Sequence, residues 1–139
     1  MFFYFKSKEL QNEKGAAAVE FAILLPLLTL IIISIMMFGI IFHDYLEITH
    51  AAREGVRWAA LRASLDDVED KAQAAAPGID WSQATLTRIG VSDPVTDGDQ
   101  GNPVTVQITY DLGNINRSFG AFAGLMPSTI TSSATQKVE

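Results

Sequence analysis

The segment Phe21–Phe42, FAILLPLLTLIIISIMMFGIIF, decides the fold of this 139-residue chain. Its 22 residues carry no charge, and the block Leu27–Met37 is interrupted only by Thr29 and Ser34. A helix of this length can cross a hydrocarbon core about 30 Å thick. A helix in the core of a soluble protein would normally have a polar face, which this segment lacks. The sequence therefore predicts a transmembrane helix over residues 16–42.

The charges on the two sides of this helix predict its orientation. Three lysines precede it, Lys6, Lys8 and Lys14, whereas Asp44 and Glu47 follow it. Because basic residues tend to stay on the cytoplasmic side, we expect the N-terminus inside and the remainder of the chain outside. A secretory signal peptide fits less well, because its apolar core usually spans about 7–15 residues and is followed by a small-residue cleavage site.

The composition excludes several classes of function. The chain has no cysteine, which excludes disulfides, thiolate catalysis and cysteine-ligated zinc. Residues 16–139 carry seven Lys and Arg against fourteen Asp and Glu, a net charge of −7, which argues against binding nucleic acid through a basic patch. No P-loop, dinucleotide-binding glycine motif or Gly-x-Ser-x-Gly elbow occurs. We predict neither enzymatic activity nor a cofactor.

The chain divides into four zones by composition. We assign a leader to residues 1–15, the transmembrane helix to 16–42, an amphipathic stalk helix to 43–76 and a small β domain to 77–139. The stalk has apolar residues at intervals of three and four that share one helical face: Leu61, Leu65, Val68, Ala72 and Ala75. If the helix runs unbroken to Ala76, it is about 90 Å long.

The last zone has the patterns of β structure. Strict alternation of apolar and polar residues predicts a strand over 104–112. Strands are also expected over 84–91 and 129–138, the last of them at an edge. An antiparallel sheet covering the apolar face of residues 56–76 would bury both hydrophobic surfaces. The predicted fold class is α+β, with a long N-terminal helix packed on a small antiparallel sheet.

A charge and a glycine stand at the start of the membrane helix. Gly15 follows Lys14 and precedes a run of small residues, which is a plausible protease site. Cleavage there would create a cationic amine at Ala16, one helical turn before Glu20. An unpaired carboxylate in a membrane segment is costly, so pairing of Glu20 with the amine of the same or a neighbouring subunit would fix the register of packing. The alternative is an interfacial glutamate with no specific partner.

These residues resemble the N-terminus of type IV prepilins, and more closely that of TadE-like pseudopilins from tight-adherence pilus systems. In such proteins an inner-membrane aspartyl peptidase cuts after the glycine, here Gly15, and the acid at mature position five, here Glu20, promotes docking of subunits. The resemblance implies three partners: the prepilin peptidase, other pseudopilins or pilins and an inner-membrane platform protein. Ala16 departs from the methylated aromatic residue of type IVa pilins.

A second segment, Ala51–Ala60 with the sequence AAREGVRWAA, resembles the segment that follows the membrane helix in TadE-like proteins. Arg53 and Arg57 are four residues apart on one helical face, with Glu54 on the adjacent flank. Gly55 would cost about 1 kcal/mol relative to alanine within a helix, and close packing against a partner helix would compensate. The alternative is an ordinary solvated helix that tolerates a glycine.

Pro26 lies inside the predicted membrane helix, where it removes one backbone donor. One interpretation is a point of local melting during filament assembly, and the other is a tolerated proline near the start of the helix. We include Pro26 with Glu20, Arg53, Glu54, Gly55 and Arg57 among the candidate assembly residues.

Two arrangements of side chains have features of metal sites. His43, Glu47 and His50 fall on one helical face near Asp44 and could hold zinc, but a hydrated face just outside the membrane explains them more simply. The aspartates of the 93–103 loop faintly resemble a calcium loop that lacks its downstream glutamate. We predict no metal site at either place.

The sequence thus favours a minor pilin-like subunit of a tight-adherence (Flp-type) pilus, held in the bacterial inner membrane with its C-terminal domain in the periplasm or on a surface filament. The alternative is an uncleaved single-pass membrane protein that displays a periplasmic or extracellular binding domain.

Overall fold

The computed structural model describes residues 6–118, 120, 124 and 126–139, and of residues 6–14, 115, 116 and 118 only the backbone. Residues 1–5 of the predicted leader lie outside the described residues. The chain forms two compact units, one up to Ile40 and the other Ile41–Glu139.

The first element is helix α1, Lys6–Ala60, which contains Pro26 without interruption. Within the described residues, Gly15–Ala60 is the one stretch long and apolar enough to cross a membrane, with a mean hydropathy of 2.8 in its most apolar window. The hydroxyls of Thr29 and Ser34 each donate to the carbonyl four residues earlier at 2.8 Å. Both hydroxyls inside the apolar run are therefore satisfied by the helix itself.

The stalk predicted as one helix over 43–76 is divided in two, which corrects the expectation of an unbroken helix. Helix α1 ends at Ala60, and Arg62 adopts the left-handed conformation with φ 66°. The Ala63 amide donates to the Trp58 carbonyl at 3.2 Å and the Arg62 amide to the Ala59 carbonyl at 3.1 Å. These two bonds form a Schellman motif, which terminates a helix and redirects the chain.

Helix α2, Leu65–Ala75, begins immediately after this turn. The Ser64 side chain caps it by accepting a hydrogen bond from the Asp67 amide at 3.2 Å. The face of α2 that carries Val68 and Ala72 is fully buried, whereas Leu61 is 50% exposed because the turn removes it from that face.

Three antiparallel strands follow, in the spatial order β1-β2-β3. They are β1, Ala84–Ile89, then β2, Pro103–Asp111, and β3, Thr129–Lys137. The predicted strands are confirmed to within a residue or two at their ends, and β3 is an edge strand as expected. A short helix, α3, Gly113–Ser118, follows β2 and was not predicted.

The core of the second unit lies between the sheet and the last turns of α1, with α2 alongside. Alternate residues of β2 point inward and are buried: Val104, Val106, Ile108 and Tyr110. The α1 side is built mainly from small residues: Ile48, Ala51, Ala52, Val56, Ala59 and Ala60. The buried apolar residues of α1 in this core therefore begin at Ile48, before the residue 56 at which the sequence placed the apolar face. The α+β class, a long N-terminal helix with a small antiparallel sheet, is confirmed.

Candidate functional site

The residues predicted for processing and docking lie on the surface of α1. Gly15, Ala16 and Glu20 are all exposed, and Ala16 and Glu20 are four residues apart, which places them on the same side of the helix. A Cβ on Gly15 would meet nothing within 4 Å. Packing among the described residues therefore does not explain this glycine. Pro26 is likewise exposed on the unbroken helix.

Gly55 packs against other elements of its own chain. It is buried, and a Cβ there would come within 3.3 Å of the Val106 Cγ1 atom and 3.6 Å of both the Ala72 Cβ and the Val68 Cγ1. The close packing that compensates for this glycine is therefore made with β2 and α2 of the same chain. The helix against which Gly55 packs is thus α2 of the same chain, and its role as a candidate assembly residue stays a prediction.

The charged residues around Gly55 divide into two groups. Arg53 and Arg57 are exposed, and Arg57 makes only a loose pair of 3.8 Å with Glu54. Glu54 instead accepts a 2.8 Å hydrogen bond from the Trp58 indole nitrogen. The ammonium group of Lys71 in α2 lies 4.9 Å from the centre of the Trp58 ring, within the range of a cation–π contact. Glu54 therefore orients Trp58 within the chain, while the side chains of the two arginines are exposed.

Trp58 also lines a shallow groove of about 360 Å³ between α1 and α2. Its other walls are Glu54, Lys71, Ala74 and Ala75. Trp58 is partly buried and packs against the core of the second unit.

A cluster of titratable groups lies just after the membrane segment, where the sequence predicted a hydrated face. Asp44 is only 7% exposed, and burial raises its pKa, with Glu47 adding to the rise and His43 opposing it. Burial likewise raises the pKa of Tyr110, and the Asp44 charge adds to that rise. The hydrated interpretation is therefore wrong for Asp44, because this turn of α1 packs against the folded domain.

Glu47 shares this environment. Its Oε2 atom is buried without a hydrogen-bond partner among the described residues. The same atom lies 3.7 Å, and the His43 Nε2 atom 3.5 Å, from the position that a Cβ on Gly78 would occupy. Gly78 thus leaves the room in which these two side chains sit. Across the described part of the chain, no group of three or more His, Asp or Glu side chains is arranged to hold a metal.

Asp97 and Asp99 of the 93–103 loop each bond to other residues of the same chain. Asp97 forms an ion pair with Arg62, whose Nε also donates to the Glu139 carbonyl at 2.9 Å. The Asp99 carboxylate accepts hydrogen bonds from the Ser92 hydroxyl at 2.6 Å and the Thr96 amide at 2.9 Å. These bonds lower the pKa of Asp99 to about 2, the Ser92 bond contributing most. Both carboxylates therefore stabilise the loop.

The N-terminal part of the chain matches a known protein family. Residues 15–57 match the TadE-like protein family. The resemblance seen in the sequence is thereby confirmed over these residues, and the helix that they contain is long and apolar enough to anchor a chain in a membrane. No curated protein and no solved structure matches the chain.

The TadE-like match begins at Gly15, contains Glu20 and Pro26, and ends at Arg57. It therefore includes both the exposed residues predicted for processing and docking and the buried turn of α1 around Gly55. Sequence reasoning missed that Ala51, Ala52, Ala59 and Ala60 form one packing face with Gly55. Their spacing of three and four residues carried the signal.

Proposed function

We propose that this chain is a minor pilin-like subunit that a prepilin peptidase cuts after Gly15 and that then assembles into, or primes, a tight-adherence (Flp-type) pilus. The observation that carries the proposal is the TadE-like match, which starts at Gly15 and includes Glu20. The exposure of Gly15, Ala16 and Glu20 supports it, because a peptidase and a neighbouring subunit both need access to these residues.

In this proposal the subunit is inserted in the bacterial inner membrane with its N-terminus in the cytoplasm and its folded domain in the periplasm. Cleavage converts Ala16 into a cationic N-terminus one helical turn from Glu20. Because a carboxylate in hydrocarbon is stabilised only by a correctly placed cation, Glu20 and the amine of a neighbour select one register of helix packing. The apolar surface of residues 21–42 then packs against other pseudopilins and lipid.

The exposed arginines suit the later steps of assembly. Arg53 and Arg57 are the basic residues of α1 that follow the membrane segment, and both point into solvent. We assign them to contacts with acidic partners of the assembly machinery, such as a second pseudopilin or the platform protein. Glu54 and Gly55 act indirectly, since they hold Trp58 and the sheet in place.

The experiment that tests the docking role replaces Glu20 with alanine. Incorporation of the subunit into filaments should fall at least about tenfold, while membrane insertion and the tryptophan fluorescence of the folded domain stay unchanged. Glu13→Ala, an acid removed with the leader, is the matched control and should assemble normally. Normal assembly of the Glu20→Ala variant would contradict the docking role of Glu20. Absence of both the natural chain and the variant from filaments would favour the uncleaved display protein, for which loss of this charge only eases insertion.

A further inference from the structure

One exposed side of α1 in the second unit carries a basic stripe, His50, Arg53 and Arg57. These residues are spaced by three and four positions, so they share one helical face. All three are exposed, whereas the core face of the same turns is buried. Arg57 makes only the loose pair with Glu54, and in the part of the chain that the structure describes no ion pair engages Arg53. The basic stripe is therefore open to a partner.

Helix α2 carries an acidic stripe with the same spacing in reverse. The helix has four acidic residues and one basic residue. Asp66, Asp70 and Gln73 are spaced by four and three positions and share one helical face. Both aspartates are exposed, and no ion pair among the described residues engages either of them. The acidic stripe therefore offers two unpaired carboxylates one helical turn apart.

Helix α2 runs back along α1. It begins just after the turn that ends α1, and a Cβ on Gly78, beyond its other end, would lie 3.5 Å from the His43 Nε2 atom. Between these points, a Cβ on Gly55 would lie 3.6 Å from both the Val68 Cγ1 and the Ala72 Cβ. The two helices are therefore antiparallel, and the basic and acidic stripes lie at the same level of the folded domain.

The two stripes of one chain lie on different sides of the helix pair. The side of α2 that faces α1 is formed by Lys71, Ala74 and Ala75, which line the groove with Glu54 and Trp58. The residues of the acidic stripe point about a third of a turn away from that side, because successive residues of a helix are rotated by about 100°. The acidic stripe is therefore placed to meet another molecule and not the basic stripe beside it.

The charge of the domain favours a contact through these two stripes. Residues 41–139 carry seven Lys and Arg against thirteen Asp and Glu, a net charge of −6, so two copies repel each other over most of their surface. Contact between the stripes instead sets two arginines against two aspartates. Copies anchored in one membrane with one orientation meet side by side, so α1 of one copy is antiparallel to α2 of the next, as it is within a chain.

We propose that neighbouring copies join head to tail, with the basic stripe of one copy against the acidic stripe of the next. Arg53 pairs with Asp70 of the next copy, and Arg57 pairs with its Asp66. His50 faces its Gln73, and because the two stripes have the same spacing the three contacts form together. Each copy keeps one stripe for each neighbour, so the contact continues along a row instead of closing as a dimer. All membrane helices in the row keep one direction.

This inference deepens the proposed function and rests on it for the shared membrane orientation. It names a second copy of the chain as the acidic partner of Arg53 and Arg57. Exposed ion pairs are weak, so the contact is expected between copies concentrated in a membrane and not in dilute detergent. Cleavage at Gly15 is not required, because both stripes belong to the folded domain.

Cysteine cross-linking of the full-length protein in membranes tests the register. The natural chain has no cysteine, so His50→Cys and Gln73→Cys can be introduced singly into two co-expressed chains of different size. A short bismaleimide should join them, because packed helices lie about 8–10 Å apart between their axes. Chains that carry only one of these cysteines should not be joined to one another, because each stripe meets the other stripe.

The matched control replaces Gln73→Cys with Thr87→Cys, at an exposed position of β1. It measures random collision in the same membranes, and its product with His50→Cys should be at least about tenfold less abundant.

A charge exchange in the same assay tests the ion pairs. Arg53→Glu in the His50→Cys chain, or Asp70→Arg in the Gln73→Cys chain, should lower the yield by about three- to tenfold, because each change replaces attraction with repulsion. Both changes together restore opposite charges and should return the yield to within about twofold of the original. A purely structural role of either residue would give no such recovery.

Three results would overturn the inference in chains whose tryptophan fluorescence shows a folded domain. The first is a yield for His50→Cys with Gln73→Cys no greater than that with Thr87→Cys, and the second is no recovery in the charge exchange. The third is cross-linking of His50→Cys predominantly to a different protein in cells that contain the other pilus components.

Failure of this inference and failure of the proposed function are distinguishable. Absence of the cross-link together with cleavage at Gly15 and dependence of assembly on Glu20 would overturn the row of copies alone. Formation of the cross-link by a chain that keeps its Met1 terminus in the presence of active peptidase would overturn the pilin-like function alone.

Discussion

Gly55 of α1 lies directly against Val106 of β2, where a Cβ atom would be 3.3 Å from the Val106 Cγ1. The absence of a side chain at Gly55 lets the last turns of α1 approach the sheet, with Val68 and Ala72 of α2 closing the third side. The segment that matches the TadE-like family thus does two things. Its first half carries the exposed apolar helix, and its last turns form part of the core of the folded domain.

Replacing Gly55 with alanine tests this packing. Overpacking against a fully buried valine destabilises the folded state by about 1–3 kcal/mol. The better helix propensity of alanine stabilises it by about 1 kcal/mol. We expect a net loss of about 1 kcal/mol in the free energy of unfolding. It can be measured in detergent by tryptophan fluorescence, since Trp58 and Trp81 both lie in the second unit.

A double-mutant cycle with Val106→Ala makes that test specific. The smaller residue removes the close contact, so the two changes together should be less destabilising than their sum by about 1 kcal/mol. Gly39→Ala is the matched control, because a Cβ there meets nothing within 4 Å. A Gly55→Ala variant that is as stable as the natural chain, with no coupling to Val106, would contradict the packing described here.

Arg62 offers a second test, of the turn between α1 and α2. Arg62 occupies the left-handed position of the Schellman motif, a position most often occupied by glycine. Its side chain bonds to Asp97 and to the Glu139 carbonyl. Arg62→Ala and Arg62→Gly both lose those bonds, but only glycine removes the left-handed strain. We expect the glycine variant to be more stable than the alanine variant by about 1 kcal/mol. Equal stability of the two would show that the turn is not held in this conformation.

The buried Asp44 predicts a pH dependence. Because burial raises its pKa above the usual 3.8, the folded state binds this proton more tightly than the unfolded state does. The contribution of Asp44 to stability is therefore greatest below pH 3.8 and is lost as the pH rises through its folded-state pKa. Asp44→Asn should be more stable than the natural chain at pH 7 and equal to it near pH 3.

The control for Asp44 is Asp70→Asn, a change at an exposed position of α2. The difference in stability between pH 3 and pH 7 should be the same for this variant as for the natural chain. Thermal unfolding at the two pH values measures both variants. An Asp44→Asn variant that is less stable than the natural chain at pH 7 would mean that the charged carboxylate is stabilised at this site.

The sequence predicted the membrane helix and strand β2, because the hydrophobic pattern of each has a single physical cause. The charge-free run of residues 21–42 predicts its helix because nothing else satisfies a backbone in hydrocarbon. The alternation along residues 104–112 predicts β2 because one face of the strand is buried and the other is exposed. Both segments are long enough for these patterns to be unambiguous.

The sequence did not predict the break between α1 and α2, because two signals competed there. The apolar spacing from Leu61 to Ala75 continues through the break and favours one helix. The local signal was Ser64 followed three residues later by Asp67, a sequence typical of a helix start. The position of Gly55 was also missed, because the sequence alone did not reveal that the sheet and α2 close over that turn of α1.

The intact mass and N-terminal sequence of the membrane-extracted protein test whether this chain is processed as a pilin-like subunit. The protein should be prepared with and without a co-expressed prepilin peptidase, and a Gly15→Leu variant serves as the uncleavable control. We expect a new terminus at Ala16 that appears only with the active peptidase and only when Gly15 is present. An intact Met1 terminus in the presence of active peptidase would contradict it.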